Sequence, residues 1–451
     1  MTTPSITARL ARHSSDYGML LVLALLCVVF SFMTLAEQHP TGAAAGEQLA
    51  DTVVARFGRD ATVLIVARAI PDDALFADTL DSRLRAEGIA VVATVKGQPA
   101  DARAAMQAAL DAGERIDVIA GNHVTTSWEI YAALAKHNRD LDRVAIVQPA
   151  SSRWPNFLKA ANLLNITNQI AVIAILAVGM TLVILTGGID LSVGSLIALT
   201  AVVATLLVRD YAGAERAGTL GLVACSAGGI AVGAAAGVFS GSMVAAFGVP
   251  PFIATLGMML VARGLASVLS NDQSIYQVPD SFVWLGRGAD LFGLPNAVIV
   301  MLALYVAAHV MLTRMRLGRY IYAVGGNLQA ARLSGVRVEF VLVFVYAVCG
   351  ALSGLGGVVL ASQLKSGAPT YGVMYELYAI AAVVVGGASI SGGEGKIFNT
   401  LIGAFIIAVI QNGMNLIGVQ GRRQDIIFGI VILAALLFEK LKRRGWKLVG
   451  R

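Results

Sequence analysis

The chain has 451 residues, of which 57% are hydrophobic and 14% charged, with a net charge of +6 and a mean hydropathy of +0.74. That balance excludes a soluble protein with a charged skin and describes a polytopic membrane protein. The positive excess does not point to nucleic acid, because the basic residues gather at the ends of apolar runs, where they set orientation.

A helix needs about 20 apolar residues to cross roughly 30 Å of hydrocarbon. By that ruler the candidate spans lie at 17–36, 166–186, 191–208, 219–246, 250–270, 296–313, 340–363, 375–391, 398–417 and 425–439, about ten transmembrane helices. The second and third could also be one broken element. The first run competes with a cleaved signal peptide, since Thr34 and Ala36 roughly fit a small-residue cleavage site. Its length exceeds the usual secretory core of about 7–15 apolar residues and favours an anchor. An N-terminus on the cytoplasmic side, residues 1–16, places Arg9 and Arg12, the cluster Arg314, Arg316, Arg319, Arg332 and Arg337, and the basic tail 440–451 all inside. Arg422 with Arg423 is the outward pair that opposes this scheme.

Between the first two spans, residues 45–152 are soluble in character and alternate strand and helix: ATVLIVARA, PDDALFADTLDSRLRAEG, IAVVATVKG, DARAAMQAALDAG, IDVIAG, TTSWEIYAALAKH, RVAIVQPA. Short apolar strands separated by amphipathic helices predict a small α/β domain with a parallel sheet covered on both faces, here extracytoplasmic. In such a sheet the ligand crevice lies beyond the carboxyl ends of the strands, at Arg68, Lys96, Gly121, Asn122, His123 and Gln148. The alternative is that these are ordinary loop residues.

The stretch Leu176–Ala198, LAVGMTLVILTGGIDLSVGSLIA, sets Gly187, Gly188 and Asp190 inside an otherwise apolar run. Backbone freed at membrane depth must be satisfied by protein or by a watery cavity, and a carboxylate there costs at least about 2.5 kcal/mol. The break therefore reads as the wall of a translocation path, with Ser192 and Ser195 beside it. The competing reading is a short cytoplasmic turn in which a wet Asp190 caps the next helix through Ser192. Gln411, Asn412 and Asn415 are also stranded in an apolar run, either facing that path or bonding neighbouring helices. Arg263 must meet carbonyls, a carboxylate or water, or snorkel outward. Glu376 stands where a carboxylate favours a helix N-terminus.

Residues 318–338 form a polar, arginine-bearing break with a Gly325-Gly326-Asn327 turn and a short helical stretch, LQAARLSG. Asn327 can cap that helix and Gly335 can end it, which leaves Ala330, Ala331 and Leu333 for a partner's groove. The alternative is an amphipathic loop lying on lipid. Cys27, Cys225 and Cys349 all sit in apolar segments without metal-ligand spacing, so no disulfide or metal site is expected. The glycine-rich run SGGEGKIF lacks the first glycine of a phosphate loop and has Ile397 where Ser or Thr would hold magnesium. Neither a nucleophile elbow nor HExxH occurs, so the chain reads as a non-enzyme.

From Phe157 to its end the chain resembles the permease subunits of bacterial ATP-binding-cassette (ABC) importers for ribose, xylose, arabinose and related sugars. The likeness rests on AVGMTLVILTGGIDLSVGSLIALT from Ala177, PFIATLGMMLVARGLA from Pro251, VPDSFVWLGRG from Val278, GRYIYAVGGNLQAARLSGVRV from Gly318 and ELYAIAAVVVGGASISGGEGKI from Glu376. Permeases for nucleosides and branched-chain amino acids are related. The resemblance implies a multi-pass protein of the bacterial inner membrane, with residues 157–439 as the permease domain and both termini cytoplasmic. It also implies a permease homodimer surrounded by lipid, an ATP-binding subunit that supplies ATP and Mg, and an extracytoplasmic solute-binding protein. The coupling segment would comprise Gly325, Gly326, Asn327, Ala330, Ala331, Leu333, Ser334 and Gly335. An ion-coupled secondary transporter also uses broken helices and an intramembrane carboxylate. A membrane receptor that senses ligand through the inserted domain is the other rival.

Overall fold

The computed structural model describes residues 6–135 and 143–449, which divide into two compact units: Leu35–Pro155, and the rest of the chain. Of the expected features, the extreme termini (1–5 and 450–451) and the end of the insert's last helix (136–142) lie outside the described residues. The first helix, α1, spans Ile6–Met33.

The inserted unit runs β1 (Leu35–Gln38), α2 (Gly42–Phe57), β2 (Thr62–Ala67), α3 (Pro71–Ala86), β3 (Ala90–Lys96), α4 (Pro99–Asp111), β4 (Val118–Gly121), α5 (Ile130–Ala135), β5 (Ala145–Val147) and β6 (Ser152–Pro155). Four strands form a parallel sheet in the order β3-β2-β4-β5. Alternate residues of β2 go to opposite faces: Val63, Ile65 and Ala67 pack with Leu49, Val53, Phe76, Leu80 and Leu84 of α2 and α3. Leu64 and Val66 pack with Ala102 and Met106 of α4 and Tyr131 of α5. Burial on both faces is why these strands carry unbroken apolar runs. β1 and β6 pair antiparallel, Leu35 opposite Pro155, and zip the unit's two ends together.

The other unit continues with α6 (Ala160–Leu185), α7 (Val193–Tyr211), α8 (Thr219–Phe247), α9 (Pro251–Ser270), α10 (Trp284–Arg287), α11 (Asn296–Arg314), α12 (Arg316–Gly326), α13 (Leu328–Leu333), α14 (Val338–Leu364), α15 (Tyr375–Val385), α16 (Ile397–Leu416) and α17 (Gly421–Val449). Among the described residues seven helices are long and apolar enough to cross a membrane: α6, α7, α8, α9, α11, α14 and α16. Within α6, 89% of the apolar window is buried, against 17% in α9, so α6 is the axis of the bundle and α9 part of its rim.

Close packing of α8 on α14 depends on small residues. Gly229, Gly233, Gly237 and Gly241 recur at four-residue spacing on the buried face of α8, and a Cβ at Gly350 of α14 would strike the Gly233 carbonyl oxygen. Backbones approach here as in small-residue membrane interfaces generally.

Three of the ten expected spans are not among these seven: 17–36 appears as the shorter apolar stretch Gly18–Met33, 425–439 falls within α17, and 375–391 is cut short. The apolar run at 375–391 predicts a full crossing, but α15 ends at Val385, and the chain before it, from Lys365 to Met374, is not helical. Pro369 denies a helix its N–H, while Gly372 and Met374 take positive φ of 68° and 69°.

Gly350→Val should overpack the α8–α14 contact and destabilise the protein by about 1–3 kcal/mol. Thermal unfolding in detergent reads this as a lowered midpoint. Gly264→Ala, whose Cβ would meet open space, is expected to leave the midpoint in place.

Candidate translocation site

The break after α6 is built by a helix stop and a helix start in immediate succession. Gly188 N–H donates to the Val183 carbonyl at 3.1 Å and Gly187 N–H to that of Ile184 at 2.9 Å, the paired bonds of a Schellman stop. Gly187 takes the left-handed φ of +81° that such a stop needs. The chain then restarts at once: Asp190 Oδ1 accepts from Ser192 N–H at 2.9 Å and Ser192 Oγ–H at 2.6 Å, and α7 begins with Leu196 N–H on the Ser192 carbonyl.

Asp190 has no exposed surface. The Cys349 thiol lies against its carboxylate, and Cys349 packs on Gly179 of α6. At 1.5 Å per residue, Gly179 is about 9 Å back from the end of α6, so residues 187–192 fold back into the bundle rather than turning beyond it. The bonds to Ser192 expected of the turn reading are present, but Asp190 is buried rather than wet: the carboxylate organises the start of the next helix from inside the bundle. Asp190 Oδ2 and the neighbouring Tyr346 Oη carry no hydrogen bond.

A second interruption meets the first. The Gly367 N–H and carbonyl exchange bonds with Ile275 at 3.0 and 2.8 Å, and Arg263 Nη1 donates to the carbonyls of Pro369 (2.6 Å) and Tyr371 (2.8 Å). Non-helical backbone buried at this depth is therefore satisfied by protein, as lipid demands. The segment runs along α7, with Gly367 against Ala201 and Gly372 against Gly194. Sequence reasoning named Arg263 without its partners and missed this segment; the run KSGAPTYG between two apolar stretches was the available signal.

The polar break around residues 318–338 attaches to the same place. A Cβ at Gly325 would strike the Leu185 carbonyl, to which Gly393 N–H donates at 2.9 Å, and Gly392 abuts Gly187. Three glycine pairs, 187–188, 325–326 and 392–393, thus gather at the end of α6. Asn327 Oδ1 accepts from Ala330 N–H at 2.9 Å and caps α13. Gly335, at φ +80°, follows its end, beside Ser334. Leu333 is 90% exposed, whereas Ala331 is buried. Ala331 therefore leaves the set of partner-facing residues: at about 100° per residue it sits on the inner side of a helix whose outer side carries Ala330 and Leu333.

The other expected path residues do not join the break. Asn412 exchanges two amide bonds with Asn162 of α6 at 3.0 and 2.9 Å, and Asn415 accepts from Gln424 at 2.7 Å. The Asn412 amide is spent between helices, and Asn415, exposed on the protomer, is tied to α17 through its oxygen. Gly187, Gly188, Asp190, Ser192 and Ser195 do come together, at the start of α7.

In the inserted unit, Arg68 and Asn122 follow β2 and β4, the adjacent strands at which the chain order reverses. Their side chains are occupied by one another's neighbours. Arg68 Nε donates to Asp73 at 2.6 Å, Asn122 Oδ1 accepts from Val124 and Thr125, and His123 stacks on His39 at 4.1 Å. Lys96 pairs with Asp78 and Gln148 with Thr126. Burial raises the Asp73 pKa, but the bonds from Arg68 and Asn122 outweigh it and hold the carboxyl below its ordinary value. Burial, then the charges of His39 and Arg68, hold His123 below its ordinary value.

A family model described as the permease component of a branched-chain amino acid transport system matches residues 162–436. The chain belongs to this permease family. It is 48% identical to the ribose import permease protein of Escherichia coli K12, over 66% of this chain and 91% of the relative. It is 44% identical to the ribose import permease protein of Bacillus subtilis, over 64% and 87%, and 38% identical to the D-allose transport system permease protein of E. coli, over 63% and 85%. No solved structure matches the chain. The family's match begins within α6, after the inserted unit.

Acid should loosen the inserted unit of this permease. Both groups bind protons less readily when folded, so the unfolded chain takes up more and stability falls with pH. The first loss is expected below about 6.5, as His123 is forced to charge, and the second below about 3.9, as Asp73 loses Arg68. Hydrogen exchange of peptides from 42–130 across pH 7 to 3 measures both, and His123→Asn should remove only the first.

Proposed function

We propose that this chain is the membrane-spanning permease subunit of an ABC importer for a monosaccharide or a related small polar solute. The observation that supports the proposal is the meeting of the α12–α13 segment with the break after α6 and the glycine pair 392–393: a short, exposed helix is joined through Gly325 to the break that holds Asp190. Relatives at up to 48% identity, named as ribose and allose permeases, support the solute class. Gly187, Gly188, Asp190, Ser192 and Ser195 are proposed to shape the path. Gly325, Gly326, Asn327, Ala330, Leu333, Ser334 and Gly335 are proposed to couple it to a separate ATP-binding subunit that brings ATP and Mg.

Ten crossings complete the reading, with the apolar part of α1 (Gly18–Met33), the Lys365–Val385 stretch and α17 added to the seven long helices. An even number returns both basic termini to the cytoplasm. The α6–α7 break, α13 and the glycine pair 392–393 then share the cytoplasmic face, and the α/β unit lies outside, where a solute-binding protein delivers cargo. Two copies of the permease form the pore in the lipid bilayer.

Leu333→Asp tests the lever. With an otherwise intact fold, it should lower uptake and retention of the ATP-binding subunit by about tenfold or more, the usual effect of losing an apolar anchor. Proteoliposome uptake and co-purification measure this. Uptake driven by an ion gradient, with no ATP-binding subunit present, would overturn the proposal in favour of a secondary transporter.

A further inference from the structure

Glu376 is half-buried in the first turn of α15, and its place in the fold is unusual. Its Oε2 lies where a Cβ on Gly194 would be, against the first turn of α7, with the Gly372 carbonyl beside it. Two helix N-termini, those of α7 and α15, therefore face one carboxylate. Partial positive charge at both ends favours an anion there, and interrupted helices in transporters commonly direct such ends at the transport site.

The opposite charge is at hand. Arg263 contributes favourable electrostatics to Glu376, while its Nη1 is committed to the carbonyls of Pro369 and Tyr371. Arg263 thus fixes the non-helical segment and balances the carboxylate without capping it: among the described residues, the hydrogen bond to Glu376 comes from its own backbone N–H. Thr370, Val373, Met374 and Leu377 around it are exposed on the protomer. An ionised group on such an open edge is penalised against hydrocarbon, so intramembrane carboxylates face a bundle interior or a watery cavity. Tyr371, Tyr375 and Tyr378 on the same stretch pack inward: the Tyr371 hydroxyl bonds Ser366, Tyr375 lies against the main core, and the Tyr378 ring is 5.1 Å from that of Phe428 in α17. A carboxylate acceptor on that edge, with its charge balanced by Arg263, suits a neutral polyhydroxyl solute.

We propose that Glu376 is a solute-contacting residue of the path, accepting hydrogen bonds from the hydroxyls of a neutral sugar, and that Arg263 is its positioning residue. This rests on the importer reading above and assigns the contact to the α15 break; Asp190, wholly enclosed at the α6–α7 break, supports the start of α7 instead.

The test uses the full complex of this chain with its ATP-binding subunit and binding protein, reconstituted in liposomes, with labelled D-ribose as probe. Glu376→Gln keeps size and one acceptor; Glu376→Ala removes both acceptors. The expected result is an uptake rate lowered modestly in the first and about tenfold in the second, the scale of one hydrogen bond to a charged group. ATP hydrolysis stimulated by the binding protein should stay within about twofold of wild type in both, because the contact is to cargo. Arg263→Lys, which cannot reach two carbonyls in a fork, should lower uptake and speed hydrogen exchange at 366–374. Unchanged uptake in Glu376→Ala overturns the assignment. So does a parallel loss of ATP hydrolysis or of the two-permease assembly, either of which makes Glu376 a structural or interface residue. Failure of the wild-type complex to import any labelled monosaccharide removes the sugar substrate on which this assignment rests, and ion-driven uptake without the ATP-binding subunit removes the importer reading itself, both results distinct from all of these.

Discussion

The architecture depends on satisfying irregular backbone where water is scarce. A membrane helix bonds its own N–H and C=O groups, so every interruption exposes donors and acceptors that lipid cannot serve. This protein serves them from three sources. The stop after α6 closes on itself through Gly187 and Gly188, a carboxylate and a serine open α7, and a guanidinium from the rim helix α9 holds the carbonyls of the segment before α15. Arg263 and Asp190 are thus costly residues retained because the backbone around them would otherwise be costlier.

The interruptions also bring distant chain segments together in chosen places. The long helix α6 is enclosed and packed on α14. The glycine pairs at the end of α6 let three chain segments touch backbone to backbone, with no side chain between them to absorb movement. At that junction the Leu185 carbonyl, against which Gly325 of α12 rests, accepts from Gly393 N–H.

Much of this was legible in the sequence, for identifiable reasons. Long apolar runs locate α6, α8, α9, α11, α14 and α16, because composition alone decides what lipid accepts. The strands of the inserted unit were legible because burial on both faces leaves runs such as TVLIVA; the order β3-β2-β4-β5 was not, since it depends on pairings far apart in the chain. Asn327 declared its cap through local chemistry. The shortness of α15 stayed hidden, because AIAAVVVGG continues as an apolar run while the geometry is set upstream by Pro369, Gly372 and Met374. Asn412 was ambiguous for a related reason: periodicity gives the face of a helix, and only packing shows that Asn162 stands opposite it.

The ribbon of β1 and β6 has an evolutionary consequence. Leu35 lies opposite Pro155, so the chain leaves and re-enters the α/β unit at a single point, and just beyond that ribbon Asn156 N–H donates to the Thr34 carbonyl at 2.9 Å. To the helices on either side, the whole insertion is equivalent to a tight hairpin. A module acquired on such a stalk can be gained, exchanged or lost between lineages without re-registering a single membrane helix.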